Sequence, residues 1–290
     1  MESPRYEPHA RFAALRGLRG FPATLAGLWC AGSLQGLERP CVAIVGTRAA
    51  TAYGRRLAHD FAHDLGARGC AILSGLALGI DACAHEGALA AGAPTIAVLG
   101  GGHRRFFPPR NAPLAERIVE GGGAVLSPFG PEQPALPHQF LERNGIVAAL
   151  ADALLVVEAP ARSGALNTAS WAAGRIPVLA IPGDLDRPHV AGCHALIRDG
   201  AVLARSADDV LEALHLPPML RELDRAPELP APADPTARSL LSLLADGERD
   251  LDALIAGSGA TPAATLAALT VLEIDGLVER LGAARYARRR

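Results

Sequence analysis

The sequence predicts an α/β fold: a doubly wound, mostly parallel sheet followed by a small C-terminal winged-helix domain. Three observations predict it. Short apolar runs without polar alternation recur between helical stretches, glycine-rich turns follow several of those runs, and a proline-rich stretch separates them from a last helical segment. Apolar runs of this kind are strands covered by helices on both faces, and their alternation with helices is the mark of a parallel sheet.

Residues 1–40 carry two short apolar patches, Phe12 to Leu18 and Leu25 to Cys30, and are expected as an N-terminal extension packed on the main domain. The main domain is expected over 41–215. Its first strand is Val42 to Val45, ended by Gly46, and a helix with Leu57, Phe61 and Leu65 on one stripe follows from about Thr51 to Ala67. Further strands are expected at Cys70–Leu73, Thr95–Leu99, Ala124–Leu126, Leu154–Val157 and Val178–Ile181. Helical patterns lie between and after them at Ile80–Ala91, Pro113–Glu120, Phe140–Leu150, Ala165–Ala173 and Asp208–Leu214. Glycine turns at Gly46, Ser74-Gly75, Gly100-Gly101-Gly102 and Pro182-Gly183 fall at the carboxyl ends of strands, where open α/β sheets place ligands.

Residues 216–235 hold six prolines among small and polar residues, the composition of a semi-rigid linker. Over 236–290 the pattern turns helical again, with Thr261 as N-cap before Pro262 and two short strands at Leu277–Arg280 and Arg285–Ala287. Three helices and a hairpin in so short a segment predict a winged helix.

Composition narrows the chemistry. All 28 basic residues are arginine, because the sequence contains no lysine. That excludes Schiff-base chemistry, a pyridoxal phosphate anchor and the lysine of a Walker loop. Net charge is −2, so a basic face has to be local. The five cysteines, Cys30, Cys41, Cys70, Cys83 and Cys193, form no C-x-x-C pair and read as buried thiols of a cytoplasmic protein, not as a disulfide frame or a metal site. There is no apolar signal core and no stretch of membrane-spanning length, so no membrane is expected.

No catalytic set converges. The sequence has no G-x-S-x-G elbow and no H-E-x-x-H, and no cofactor or metal is expected. Asp81 and His85 share a helix face, which suits a proton relay or a metal pair, but a capping aspartate beside a packed histidine is the simpler reading. Ser163 before Gly164 is likewise read as an N-cap.

Arginines, by contrast, recur where the ligand edge of the sheet should be: Arg48, Arg104, Arg105, Arg110, Arg143 and Arg162. Gly46, Thr47 and Arg48 end the first strand, with a hydroxyl and a planar fork suited to phosphate, and the following helix start favours an anion. Ser74, Gly75, Asn144, Ser163 and Gly164 complete the expected phosphate-binding set, and Phe106-Phe107 offer a surface on which bases can stack. Such an edge fits an extended phosphate backbone, with single-stranded nucleic acid as the natural ligand and a small nucleotide as the competing one.

These residues resemble the DNA-processing protein A (DprA, or Smf) family. The resemblance is carried by Val42 to Arg48, by Ser74 to Asp81 with Ala84-His85, by Thr95 to Gly100, and by Phe140 to Leu150. Leu155 to Ala169 and Ile181-Pro182-Gly183 with Gly192 to Ala201 add to it, and the segment from Thr236 to Arg285 looks like the winged-helix module of many members. The sequence departs from the family pattern at Leu78, Gly102-His103, Pro109, Pro128, Gly145 and Asn167, with Gly145 standing where a second arginine is usual.

The resemblance implies a Rossmann-like domain that binds single-stranded DNA, forms a homodimer, protects incoming DNA and loads the RecA recombinase in natural transformation, with no enzymatic step. In it Arg48 holds phosphate, and Arg143 with Asn144 lines the same pocket. The alternative is a nucleotide-binding or nucleotide-hydrolysing enzyme on a related scaffold, such as the cytokinin-activating phosphoribohydrolases. Gly100-Gly101-Gly102-His103 lacks the threonine and glutamate of their glycine loop.

Overall fold

The computed structural model describes residues 3–16, 18, 26–216, 232, 234–245, 247–281 and 284–288. Contacts divide the chain into two units, residues 1–224 and 225–290. Most of the proline-rich stretch at 216–235, expected as a linker, lies outside the described residues.

Among the described residues, the first unit is built on a nine-stranded sheet. Its strands in chain order are β1 (Arg5–Glu7), β2 (Leu28–Gly32), β3 (Cys41–Val45), β4 (Ala71–Ser74), β5 (Thr95–Val98), β6 (Ala124–Ser127), β7 (Ala153–Val156), β8 (Val178–Ala180) and β9 (Val202–Leu203). In space they run β1-β2-β6-β5-β4-β3-β7-β8-β9. From β6 to β9 every pairing is parallel, while β1 and β2 are antiparallel at one edge.

The helices are α1 (Ala52–Ala67), α2 (Ile80–Ala90), α3 (Ala112–Glu120), α4 (Pro137–Leu150), α5 (Gly164–Ala172), α6 (Ala191–Arg198) and α7 (Ala207–Ala213). All five residues of β3 are buried, which is why its sequence shows no alternation. Cys41, Ala43 and Val45 face a layer containing Ile146, Val147 and Leu150 of α4 and Ala165 and Ala169 of α5. Val42 and Ile44 face the opposite layer, with Ala58, Phe61 and Leu65 of α1 and Ile80, Ala84 and Ala88 of α2.

The extension expected over residues 1–40 adds two strands to the sheet, β1 and β2, which the sequence did not reveal. Their signal is short, and β2 is set by pairing with β6, far along the chain. Helix α6 and strand β9 were also not expected, the latter being a two-residue edge strand whose side chains are exposed.

The topology places a site. From β3 the chain moves outward through β4, β5 and β6, then returns to β7 on the other side of β3 and moves outward again through β8 and β9. The winding reverses between β3 and β7, and the carboxyl ends of these two strands open a crevice there.

The second unit packs α8 (Pro235–Leu243), α9 (Leu251–Ser258) and α10 (Pro262–Ile274) around Leu240, Leu254, Leu269, Leu272 and Tyr286. Its antiparallel sheet orders β10 (Arg249–Asp250), β12 (Arg285–Arg288) and β11 (Val278–Leu281) as β10-β12-β11. The Thr261 hydroxyl accepts from the Ala264 amide and so caps α10. This is the winged helix. Among the described residues, no single helix is long and apolar enough to cross a membrane.

Candidate functional site

A cleft of about 600 Å³ opens at the winding reversal, where Gly46-Thr47-Arg48 after β3 meets Pro160 and Arg162 to Ala165 after β7. Gly75, Ala77 and Asp81 from the β4–α2 turn, one face of α4 and Phe107 complete its lining.

The β3 turn is held from beneath. The Thr47 amide donates to the Glu158 carbonyl at 2.7 Å. The buried carboxylate of Glu158 accepts from the Thr51 amide at 3.0 Å and from the Thr51 hydroxyl. That hydroxyl in turn accepts from the Gly54 amide at 2.9 Å, capping α1. The start of α1 is thereby tied to the segment after β7, and Arg48 is left exposed between two anchored points.

The turn after β4 is shaped by Asp81. Its Oδ2 accepts from the amides of Gly75 at 3.1 Å and Ala77 at 3.4 Å, the capping role read from the sequence. Gly79 has φ +82°, where a Cβ would run into the carbonyl oxygens of Thr47 and Arg48, so this turn and the β3 turn meet backbone to backbone. His85 does not reach the cleft. It is buried beside Thr95, 2.7 Å from the hydroxyl.

Arg143 is 4% exposed and donates from Nη1 to the Val98 carbonyl at 2.9 Å. Burial lowers its pKa to about 10, with Asp81 opposing that shift and Arg48 adding to it. Burial likewise raises the Asp81 carboxyl, against the pull of Arg143 and of the two turn amides. The two buried groups face each other's field at the cleft floor, each favouring the charged form of the other against burial.

At the mouth, the Arg48 guanidinium carbon lies 5.3 Å from the centre of the Phe140 ring. Phe107 meets Phe140 nearly edge-on, with centroids 5.9 Å apart and planes at 65°. On the far wall, Asn144 Nδ2 donates to the Gly164 carbonyl and to Asn167 Oδ1, both at 3.2 Å, and so joins α4 to α5. Ser163 Oγ accepts from the Ala165 amide at 3.2 Å and is the N-cap of α5, with the Gly164 start of that helix on the cleft.

Of the expected site residues, Gly46, Thr47, Arg48, Gly75, Arg143, Asn144, Ser163 and Gly164 come together in the cleft lining, with Arg162. Four do not line it. Ser74 is fully buried and donates to the Ile44 carbonyl at 2.6 Å, so its hydroxyl serves the β3–β4 contact. Arg104, Arg105 and Arg110 are exposed outside the lining, and Arg104 pairs with Glu132 at 2.7 Å. The reason is the anchoring of their loop: His103 bonds the Val125 carbonyl at 2.9 Å and Asn111 donates to the Leu76 carbonyl at 2.9 Å, fixing both ends beside β6 and the turn after β4. From this loop Phe107 enters the cleft, while Phe106 packs beside the cluster of Leu76, Leu99 and Leu114.

Phe140, Leu141, Pro137 and Asp81 also line the cleft and were not counted among the site residues. Phe140 had a sequence signal, since it stands three residues before Arg143 and therefore on the same helix face. Gly145, where the family pattern has an arginine, faces the Trp171 ring and is not part of the lining. Among the described residues, no group of three or more histidine, cysteine or acidic side chains is placed to hold a metal.

Comparison with known proteins matches both units. The family model described as DNA recombination-mediator protein A matches residues 8–215, and that of the DprA winged helix domain matches residues 224–283. A putative DNA processing protein DprA of Mycobacterium tuberculosis is 40% identical over 269 residues, which cover 87% of this chain and 66% of that protein. The DNA processing protein DprA of Streptococcus pneumoniae is 41% identical over 186 residues, 63% of this chain and 65% of its own length. The chain thus spans a little under two thirds of the length of these relatives.

Among solved structures, the X-ray structure of S. pneumoniae DprA superposes with a TM-score of 0.63 at 36% identity, covering 71% of this chain and 70% of that one. DprA from Helicobacter pylori, solved for its single-stranded DNA binding mode, gives a TM-score of 0.64 at 28% identity, covering 73% of this chain and 95% of the other. With family models matching both the sheet unit and the winged helix, the chain belongs to the DNA recombination-mediator protein A (DprA) family.

Proposed function

We propose that this chain binds single-stranded DNA in the cleft between β3 and β7. The observation that carries the reading is the Arg48 guanidinium over the Phe140 ring, at the mouth of a cleft floored by a second, buried arginine. A cation that contacts phosphate beside an aromatic face that stacks a base is the pairing that single-stranded nucleic acid needs. The H. pylori relative, whose structure concerns its single-stranded DNA binding mode, supports the reading.

In this reading Arg48 and Arg162 contact phosphates, and the amino end of α5 at Ser163-Gly164 adds backbone donors and a positive dipole end. Thr47 offers its hydroxyl beside them. Arg143 acts from below, through its charge and by holding Gly75 in place. Gly46 lets the turn that carries Arg48 pack against Ile80 and the Glu158 carbonyl, which a Cβ would run into.

The same reading makes the protein a non-enzymatic mediator that acts as a homodimer, protects incoming DNA and hands it to the RecA recombinase in natural transformation. The family description supports the mediator role. A cytoplasmic location fits the free cysteines: burial raises the thiols of Cys30 and Cys41 to about 12 and those of Cys70 and Cys193 to about 11, so they stay protonated and unreactive.

The test is fluorescence anisotropy with a labelled oligothymidylate across a salt series, comparing the full chain with Arg48→Ala. Binding that weakens with salt and is largely lost in the variant is the expected result. Absence of binding at low salt would overturn the function.

A further inference from the structure

On the outer face of α1, away from the residues that line the cleft, the sequence repeats one doublet: His59-Asp60 and His63-Asp64. The opposite face of the helix holds Ala58, Phe61, Ala62 and Leu65 in the core, which fixes the helix while leaving both histidines partly exposed. Residues four apart stand on adjacent turns of one face. The two imidazole rings accordingly stack, with centroids 6.4 Å apart and planes within 11° of parallel.

Each ring is also oriented in the same way. Nδ1 of His59 lies 3.3 Å from Oδ1 of Asp60, and Nδ1 of His63 lies 3.3 Å from Oδ1 of Asp64. A carboxylate beside Nδ1 favours the tautomer that carries its proton there and leaves the Nε2 lone pair free. That is the arrangement found around metal-bound histidines, where a second group holds the ring nitrogen that does not ligate. Two histidines four apart on one helix face also form the helical half of zinc sites of the H-E-x-x-H type.

We propose that His59 and His63 form a binding site for a divalent late transition metal, of the Zn²⁺ class that imidazole ligands favour. To chelate one ion through both Nε2 atoms the rings turn out of their parallel stack, which the partial exposure of both side chains permits, with Asp60 and Asp64 beside the Nδ1 atoms. Two protein ligands leave the remaining coordination positions to water or to a group from another molecule. The site is separate from the cleft, so it does not depend on the DNA-binding reading.

The test uses the full chain. Titration with ZnCl₂ by calorimetry should show saturable binding that His59→Ala and His63→Ala each weaken by roughly tenfold or more, with a smaller loss in Asp60→Asn and Asp64→Asn. Substitution with Cu²⁺ gives a second readout: the electron paramagnetic resonance spectrum should show two nitrogen ligands in the parent and one in either histidine variant. Because both histidines are surface residues, circular dichroism should be unchanged, which separates loss of the site from loss of the fold. Zinc affinity unaltered in both histidine variants, or a copper spectrum without paired nitrogens, would overturn the proposal.

Discussion

The guanidinium of Arg143 fills the space that a side chain on Gly75 would need: a Cβ built there overlaps Nη1 and Cζ. The residue that follows β4 and a residue in the middle of α4 are thus fitted to each other, and Asp81 holds both, the one by its amide and the other by charge. The cleft floor is one unit assembled from three segments.

Gly75→Ala therefore acts as an overpacking substitution and should cost about 1–3 kcal/mol of stability. Arg143→Lys should lose a similar amount, because an ammonium cannot reproduce the fork that reaches the Val98 carbonyl while facing Asp81. Denaturant unfolding measures the stability, and oligothymidylate affinity should fall in both variants. Unchanged stability and affinity in Gly75→Ala would show that Arg143 moves aside freely.

Arg48 and Phe140 should separate by their salt dependence. Removing one phosphate contact with Arg48→Ala lowers the slope of log K against log salt by roughly 0.7 for a single strand. Phe140→Ala removes a stacking surface and should cost about 1–3 kcal/mol of binding with the slope preserved. Anisotropy at several salt concentrations distinguishes them. Equal slopes in parent and Arg48→Ala would remove Arg48 from the phosphate contacts.

Glu158 works one layer behind Arg48. Truncation in Glu158→Ala leaves the Thr51 amide and hydroxyl without their acceptor and should cost about 1–3 kcal/mol. Glu158→Gln keeps one carbonyl acceptor and should lose less. Thermal unfolding checks the order of the three proteins, and the affinity for oligothymidylate should follow it, since the start of α1 positions Arg48.

Much of this frame was legible because burial on both faces leaves a plain mark: β3 and β7 are runs of buried apolar residues, β4 and β5 are buried throughout with one hydroxyl residue each, and glycine ends the first. Arg48 and Ser163 could be placed on the cleft because each stands at or near the boundary of an element whose type was clear, and Asn144 because it adjoins Arg143 within a helix whose type was clear. Arg104, Arg105 and Arg110 could not be kept off it from sequence. Their position depends on where His103 and Asn111 anchor a loop, and those bonds reach carbonyls 22 and 35 residues away. Strand β2 was hidden for the same reason, its pairing with β6 spanning nearly a hundred residues.

His85 carries the last prediction. The Thr95 hydroxyl donates to the Ile72 carbonyl at 2.8 Å, so it accepts from His85, which must hold its proton on Nδ1. Nε2 is buried with no hydrogen-bond partner, and a second proton there would be a desolvated charge facing Arg143. Burial first, and Arg143 second, lower the His85 pKa to about 3. In the unfolded chain the same imidazole titrates near its ordinary 6.5. Between those values the unfolded state binds the extra proton and the folded state does not, so stability falls as pH falls. At pH 5 this amounts to about 2 kcal/mol relative to pH 7.5. His85→Gln, which cannot titrate, should lower stability at neutral pH yet show a shallower decline on acidification by about that amount. Chemical denaturation at both pH values measures the two slopes, and parallel declines would mean that acid sensitivity arises elsewhere.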